Sequence, residues 1–233
     1  MLWNHGREMA EPPCPEVIPV FPLTGVVLLP GNWLPLNVFE PRYRAMVEDA
    51  MAGERHIGMI QPVEARPADA PDPEEPPADA PELYPVGCAG RIERCDPQAD
   101  GRFLIFLRGV SRFRVQAELP ARRGYCRVVA GYEEFAVDRR ETEVDLDPAP
   151  VLEAVRRFGE VQGTAIDLGQ LAGLPGRALV NGLAVALPFS PAEKQALLEA
   201  PGPAARRELL LALLEMGLRG GFAEDLDEQP AAN

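Results

Sequence analysis

The hydrophobic period of this chain changes once, near Asp147-Pro148. Ahead of that point the apolar residues come in short runs with the two-residue alternation of strands. Behind it they recur every three or four residues, as on helices. Strand-like runs cover 17–21, 26–29, 34–39, 56–61, 86–95, 102–107 and 125–135. Pro30-Gly31-Asn32 reads as a turn, and residues 96–101, DPQADG, as a hairpin loop. One helix interrupts the strands over 41–51. Pro41 opens it, Tyr43, Met46, Val47 and Ala50 form its inner face, and Gly53 follows its end. Past 148 the helical stripes are Val151, Leu152, Val155 and Phe158, then Leu179, Leu183 and Leu187, then Leu209, Leu213 and Met216, with Gly220-Gly221 as the stop. In SPAEKQALLEA, Ser190 is placed to cap a helix, Pro191 to begin it and Glu193 to complete a capping box. Strands first and helices second give an α+β chain with a segregated layout.

Composition sets the outline of that layout. The 26 prolines among 233 residues break the chain often. Residues 63–85, VEARPADAPDPEEPPADAPELYP, hold proline, alanine and acid with almost nothing apolar. Such a segment buries too little surface to offset its ordering entropy, so a disordered acidic loop joining two strands is expected. A solvated insertion and an acidic docking arm are both consistent with it. The expected organisation is a flexible tail over 1–16, a β-barrel domain over 17–140, a helical bundle over 148–222 and an acidic tail over 223–233.

The formal charge of −13 argues against a general nucleic-acid binder, whose affinity rests on Lys and Arg. A local concentration of arginines at 102, 108, 112, 114, 122, 123 and 127 fits either an RNA-facing strip or the solvated face of strands that pair with acids elsewhere. On strand alternation, Arg112 and Arg114 fall on one face, opposite Phe113 and Val115. The apolar run 103–107 predicts a central strand. Cys14, Cys88, Cys95 and Cys126 form no CxxC pair, so isolated thiols in a reducing compartment are expected. The longest apolar stretch, 209–214, is too short to span a bilayer, and residues 1–13 carry no apolar signal core. A cytoplasmic protein without membrane association is expected.

The residues offer little chemistry. The serines are Ser111 and Ser190, and the single lysine is Lys194. Ser190 and Lys194 stand four apart, but the cap accounts for Ser190 and no glycine-rich oxyanion loop surrounds it. There is no phosphate-cradling GxxxxGK[ST], no HExxH, no GxSxG and no dinucleotide fingerprint. No catalytic residue, cofactor or metal is therefore expected. Phe39-Glu40-Pro41-Arg42-Tyr43 packs charge and aromatics at one strand-to-helix junction, and it reads as a helix start: Glu40 complements the macrodipole and Tyr43 packs inward.

These residues carry a resemblance. Phe21-Pro22-Leu23, Val26-Val27, Pro30-Gly31, Pro35-Leu36 and Phe39-Glu40-Pro41-Arg42-Tyr43 resemble the opening of the amino-terminal substrate-binding domain of Lon proteases. A second block agrees: Val86-Gly87, Gly90, Ile92, Asp100-Gly101-Arg102 and Gly109-Val110-Ser111-Arg112-Phe113. A third, ALPFSPAEKQALLE, is similar to the family's helical part, and the three span most of 17–216. The resemblance implies a six-stranded PUA-like β pseudobarrel with one helix, followed by a C-terminal helical bundle. It departs from full Lon enzymes, which continue into ATPase and Ser-Lys peptidase modules that this sequence lacks, so it looks like the stand-alone members. The acidic segment also looks longer than the family's usual connection. The function this implies is non-catalytic binding of unfolded or extended polypeptide, for a protease or chaperone acting in trans. RNA binding by analogy with PUA-like folds is the alternative, and a hydrolase a third. The expected docking element is Asn32-Trp33-Leu34, with Trp33 either facing a partner or folded back over its own barrel.

Overall fold

The computed structural model describes residues 14–63, 82–139, 146–163 and 166–220. Six strands and one helix come first: β1 (Val17–Pro22), β2 (Trp33–Val38), α1 (Pro41–Ala52), β3 (His56–Ile60), β4 (Val86–Pro97), β5 (Phe103–Arg122) and β6 (Tyr125–Gly131). A 3₁₀ segment, Glu133–Arg139, leads on to α2 (Ala149–Gln162), α3 (Leu168–Ala172), α4 (Gly176–Ala186), α5 (Pro191–Glu199) and α6 (Pro203–Gly220). The fold is α+β, with the strands and helices segregated as the period change predicts.

The sheet order is β2-β5-β4-β3-β1-β6, and β5 also pairs with β6. The length of β5 makes this possible. Its first part lies between β2 and β4, and its far end, from Arg114 to Arg122, pairs with β6 and closes the ring. All of these pairings are antiparallel except β1 with β3. Phe113 fills the ring beside Ile18, Val20, Val128 and Tyr132. Its ring lies so close to Gly58 and Gly87 that a Cβ there would fall 2.9 and 2.7 Å from it.

A larger core lies outside the ring and runs without interruption from the sheet into the helices. Val27, Leu28 and Leu29 meet Ile105 and Leu107 of β5 on one side and belong to the same cluster as Leu179, Leu183, Leu197 and Leu214. The apolar run 26–29 is therefore not the strand its composition predicts. It is a buried irregular segment between sheet and helices, apolar all round because both of its sides are covered. Leu29 presses its carbonyl against β5 so closely that a Cβ on Gly109 would lie 2.2 Å from that oxygen.

Three other expectations change. The strand predicted over 125–135 ends at Gly131, where the 3₁₀ segment begins. The stripe on α6 is Leu210, Leu213 and Leu214, together with buried Arg206, while Met216 is 56% exposed. Every position of LLLALL except one is leucine, so periodicity alone could not choose the face. Arg112 is not solvated with Arg114: it is fully buried, because the 3₁₀ segment and the end of α5 cover this part of the barrel's outer surface. The predicted acidic loop falls largely on residues 64–81, outside the described residues. Its two ends are joined by a Pro62–Leu83 bridge and by the Val63 N–H donating to the Glu82 carbonyl at 2.7 Å. The tails over 1–13 and 221–233 also lie outside the described residues.

Candidate functional site

The Pro30-Gly31-Asn32 turn delivers the chain to β2. Gly31 adopts φ +85°, a conformation suited to glycine. The Gly31 N–H donates to the Gly109 carbonyl, the Asn32 N–H to the Leu29 carbonyl, and the Asn32 carbonyl accepts from Gly109. Asn32 is thus held by its backbone in the turn. Leu34 and Leu36 pack against the main core. Trp33, on the opposite face by strand alternation, is 57% exposed. Pro35 and Asn37 share its face and are also exposed.

Register extends this face across three strands. Trp33 pairs with Arg108, and Arg108 with Arg91; Pro35 pairs with Phe106, and Phe106 with Arg94; Asn37 pairs with Leu104, and Leu104 with Asp96. Leu104 and Phe106 are half-buried, so the central strand shows solvent one apolar side even though Ile105 and Leu107 on its other side are fully buried. The Arg94 guanidinium lies 5.6 Å from the Phe106 ring centroid and 2.7 Å from the Asp96 carboxylate. Arg91 stands 3.8 Å from Glu93. The result is an apolar strip of Trp33, Pro35, Phe106 and Leu104 bordered by guanidiniums.

The edge of β2 limits how a ligand can use that strip. Among the described residues β2 pairs with β5 alone, and its other edge carries no strand. The Gly109-to-Asn32 bond fixes the alternation: even-numbered residues of β2 direct their backbone toward β5, and Trp33, Pro35 and Asn37 direct theirs outward. Pro35 has no N–H to offer there, which is where proline is tolerated in a sheet and which interrupts strand addition.

The junction after β2 is a helix start. Glu40 occupies the cap position of α1 without a side-chain cap bond, and its carboxylate lies 2.8 Å from Arg42. Tyr43 stacks on Phe21 with centroids 4.1 Å apart, the Arg42 guanidinium sits 4.6 Å from the Tyr43 ring, and burial pushes the Tyr43 phenol up to about 12. Phe39 remains 58% exposed. At α5, Ser190 and Glu193 form the full capping box. Lys194 instead donates to the Gly25 carbonyl at 3.0 Å, so Ser190 and Lys194 are engaged with separate partners.

A cavity of about 180 Å³ between the end of α1, β1 and the β5–β6 hairpin is lined by Asp49, Glu54, Arg55, Arg122 and Arg127. Asp49 lies on its wall and already accepts from Tyr125 Oη at 2.7 Å and from Arg123 at 2.9 Å. Among the described residues no group of three or more His, Cys, Asp or Glu could hold a metal ion, and no helix is long and apolar enough to cross a membrane. Burial raises the thiols of Cys88, Cys95 and Cys126, which disfavours nucleophilic thiolate.

Sequence reasoning missed the polar contacts that join sheet to helices. Arg112 donates to both Asp138 oxygens and to the Leu198 and Ala200 carbonyls at the end of α5. Arg206 donates to the Leu197 carbonyl and to Asn181 Oδ1, and Asn181 in turn donates to the Pro30 carbonyl behind the Trp33 turn. Gln61 accepts from the Gly25 N–H and donates to Gln195 and the Pro191 carbonyl. The only available sign was polar residues inside otherwise apolar blocks.

Comparison with known proteins agrees with this architecture. Residues 17–216 match the model of the ATP-dependent protease La (LON) substrate-binding domain, and the chain belongs to that family. It is 29% identical over 204 residues to Lon protease 2 of Myxococcus xanthus and 32% identical over 216 residues to Lon protease 2 of Sorangium cellulosum. These alignments cover 86% and 87% of this chain but 24% and 25% of those proteins, so the chain spans about a quarter of their length. Among solved structures, a Lon N-terminal domain protein from Xanthomonas campestris aligns with a TM-score of 0.58 at 26% identity, over 84% of this chain and 97% of that one. The N-terminal domain of a Mycobacterium avium complex Lon protease aligns at 0.59 with 19% identity, over 85% and 98%, a likeness of fold.

Proposed function

We propose that this protein is a non-catalytic module that binds unfolded or extended polypeptide on the β2–β5–β4 face, for a protease or chaperone acting in trans. The observation that carries the reading is an exposed tryptophan in an apolar strip, on a fold of the Lon substrate-binding family. An exposed large aromatic next to half-buried apolar residues is a common signature of a docking surface. The RNA alternative loses support from the arginines themselves. Arg102, Arg114, Arg122 and Arg123 are paired with Asp100, Glu134, Asp49 and Glu48, and Arg112 is buried, so few guanidiniums of the hairpin are left for phosphates.

Titration of a fluorescent, permanently unfolded polypeptide tests the reading. Trp33→Ala should weaken binding by about 2 kcal/mol or more, the range of an interface anchor. Its melting temperature should fall far less than the ~3–5 kcal/mol loss of a truncated core aromatic would cause. Unchanged affinity in a well-folded Trp33→Ala protein would remove Trp33 from the binding surface.

A further inference from the structure

We propose that Asn181 is a positioning residue for the docking tryptophan: from inside the helical part it holds the turn that presents Trp33. The inference rests on the polypeptide-binding reading and adds what keeps its anchor in place. The turn is of type II. The Asn32 N–H donates to the Leu29 carbonyl at 3.0 Å, Pro30 takes the second position, and Gly31 takes the third at φ +85°. The orientation of the central peptide, the Pro30 carbonyl with the Gly31 N–H, separates this turn from type I. Both ends of that peptide are gripped. The Gly31 N–H donates to the Gly109 carbonyl of β5 at 2.9 Å, and the Pro30 carbonyl accepts from Asn181 Nδ2 of α4 at 3.1 Å. Sheet and helix thus fix one peptide plane from opposite directions. Two residues beyond Gly31 the chain presents exposed Trp33.

The chemistry of the bridge requires an amide. Arg206 offers only donors and a backbone carbonyl only accepts, so joining them takes a side chain with both an oxygen and an N–H. Asn181 Oδ1 accepts from Arg206 Nη1 at 3.0 Å while Nδ2 faces the turn. Arg206 is held in its place by the Leu197 carbonyl at 2.7 Å, and Leu179 and Leu183 seat α4 in the main core. Asn181 is 1% exposed, so it reaches a ligand only through the turn. Glycine accepts either sign of φ, so the turn can change type once the grip on the Pro30 carbonyl is lost.

Asn181→Asp tests this, because a carboxylate still accepts from Arg206 but cannot donate to Pro30. In a Trp3→Phe background Trp33 is the only tryptophan, and its fluorescence anisotropy reports on the turn. Asn181→Asp should lower that anisotropy and weaken affinity for a permanently unfolded polypeptide by about fivefold, the value of one hydrogen bond. Ser190→Ala, which weakens the cap of α5, should change neither, and melting curves confirm that both variants are folded. Wild-type anisotropy or wild-type affinity in folded Asn181→Asp overturns the positioning role and leaves polypeptide binding standing. A second measurement needs no variant. If Asn181 favours the binding form of the turn, binding must strengthen its bond in return. Exchange of the Asn181 side-chain amide protons, followed by NMR, should therefore slow when wild type is saturated with the polypeptide. Unchanged exchange overturns the inference. No binding by wild type overturns both this inference and the reading beneath it.

Discussion

Arg112 stands on a barrel strand and lies wholly buried, with Asp138 2.8 Å from its Nε and two helix carbonyls on its Nη1. Arg206 ends at the same helix terminus, so two guanidiniums cover the carbonyls that α5 leaves without intrahelical partners. Burial, with the charge of Arg112 adding, pushes Arg206 down to about 10, which leaves it protonated at neutral pH. Two buried cations therefore depend on one buried carboxylate. Asp138→Ala should cost about 3–5 kcal/mol in urea unfolding, the range for removing one partner of a buried pair. An Arg112→Met/Asp138→Leu double variant should recover part of that loss, because the buried charge then falls to Arg206 alone, which keeps the Leu197 carbonyl and Asn181 Oδ1 as acceptors. Asp49 offers a gentler test. The Tyr125 hydroxyl, ahead of the arginines, holds its carboxyl below the usual range. A lowered folded pKa stabilises above the unfolded value of about 3.9 and ceases to as pH falls through the folded one. Tyr125→Phe should therefore cost about 1 kcal/mol at pH 7, and the gap from wild type should narrow by pH 3, read as urea midpoints at both pH values.

At the level of elements, α1 and α5 were readable because their signals are local. Proline at the first position, an apolar face at helical spacing and a capping box each act within one turn. In α5 the Ser190 N–H donates to Glu193 at 2.8 Å, and Ser190 Oγ accepts from the Glu193 N–H at 3.3 Å. Ser190→Ala should lower stability by about 0.5–2 kcal/mol while leaving affinity for an unfolded polypeptide unchanged, as measured by melting and titration together. The segment around Leu28 was misread because its signal is not local: it is apolar on all sides because of what packs on it. In the same way the exposed side of β5 was hidden inside the run FLIFL, which looks buried on both faces until β2 and β4 are placed beside it.

For the whole molecule, the division near 148 marks a change of secondary structure inside one continuous core. Buried hydrogen bonds also cross it, from Arg112 to α5, from Gln61 to Gln195 and from Asn181 to the Pro30 turn. We therefore expect a single cooperative unfolding transition, with fluorescence and circular dichroism midpoints coinciding. A fragment ending at residue 140 would expose the Leu28–Leu107 surface and leave Arg112 without its α5 carbonyls. It should lack the dispersed amide spectrum of a folded domain. A well-dispersed, cooperatively melting fragment would show that the barrel folds independently.

What the sequence determined by itself was whatever local periodicity and punctuation encode: strands before helices, α1, the capped α5 and the blocks that mark the family. It also marked Trp33 as an aromatic just after a turn, but not its surroundings. Tertiary structure decided which neighbours share its face, because Phe106, Arg94 and Arg108 are distant in the chain and meet Trp33 only through the β2–β5–β4 register. It likewise decided that Arg112 is buried and Arg114 is not, since strand alternation assigns a side chain to a face, and only the helices packed on that face determine whether water reaches it.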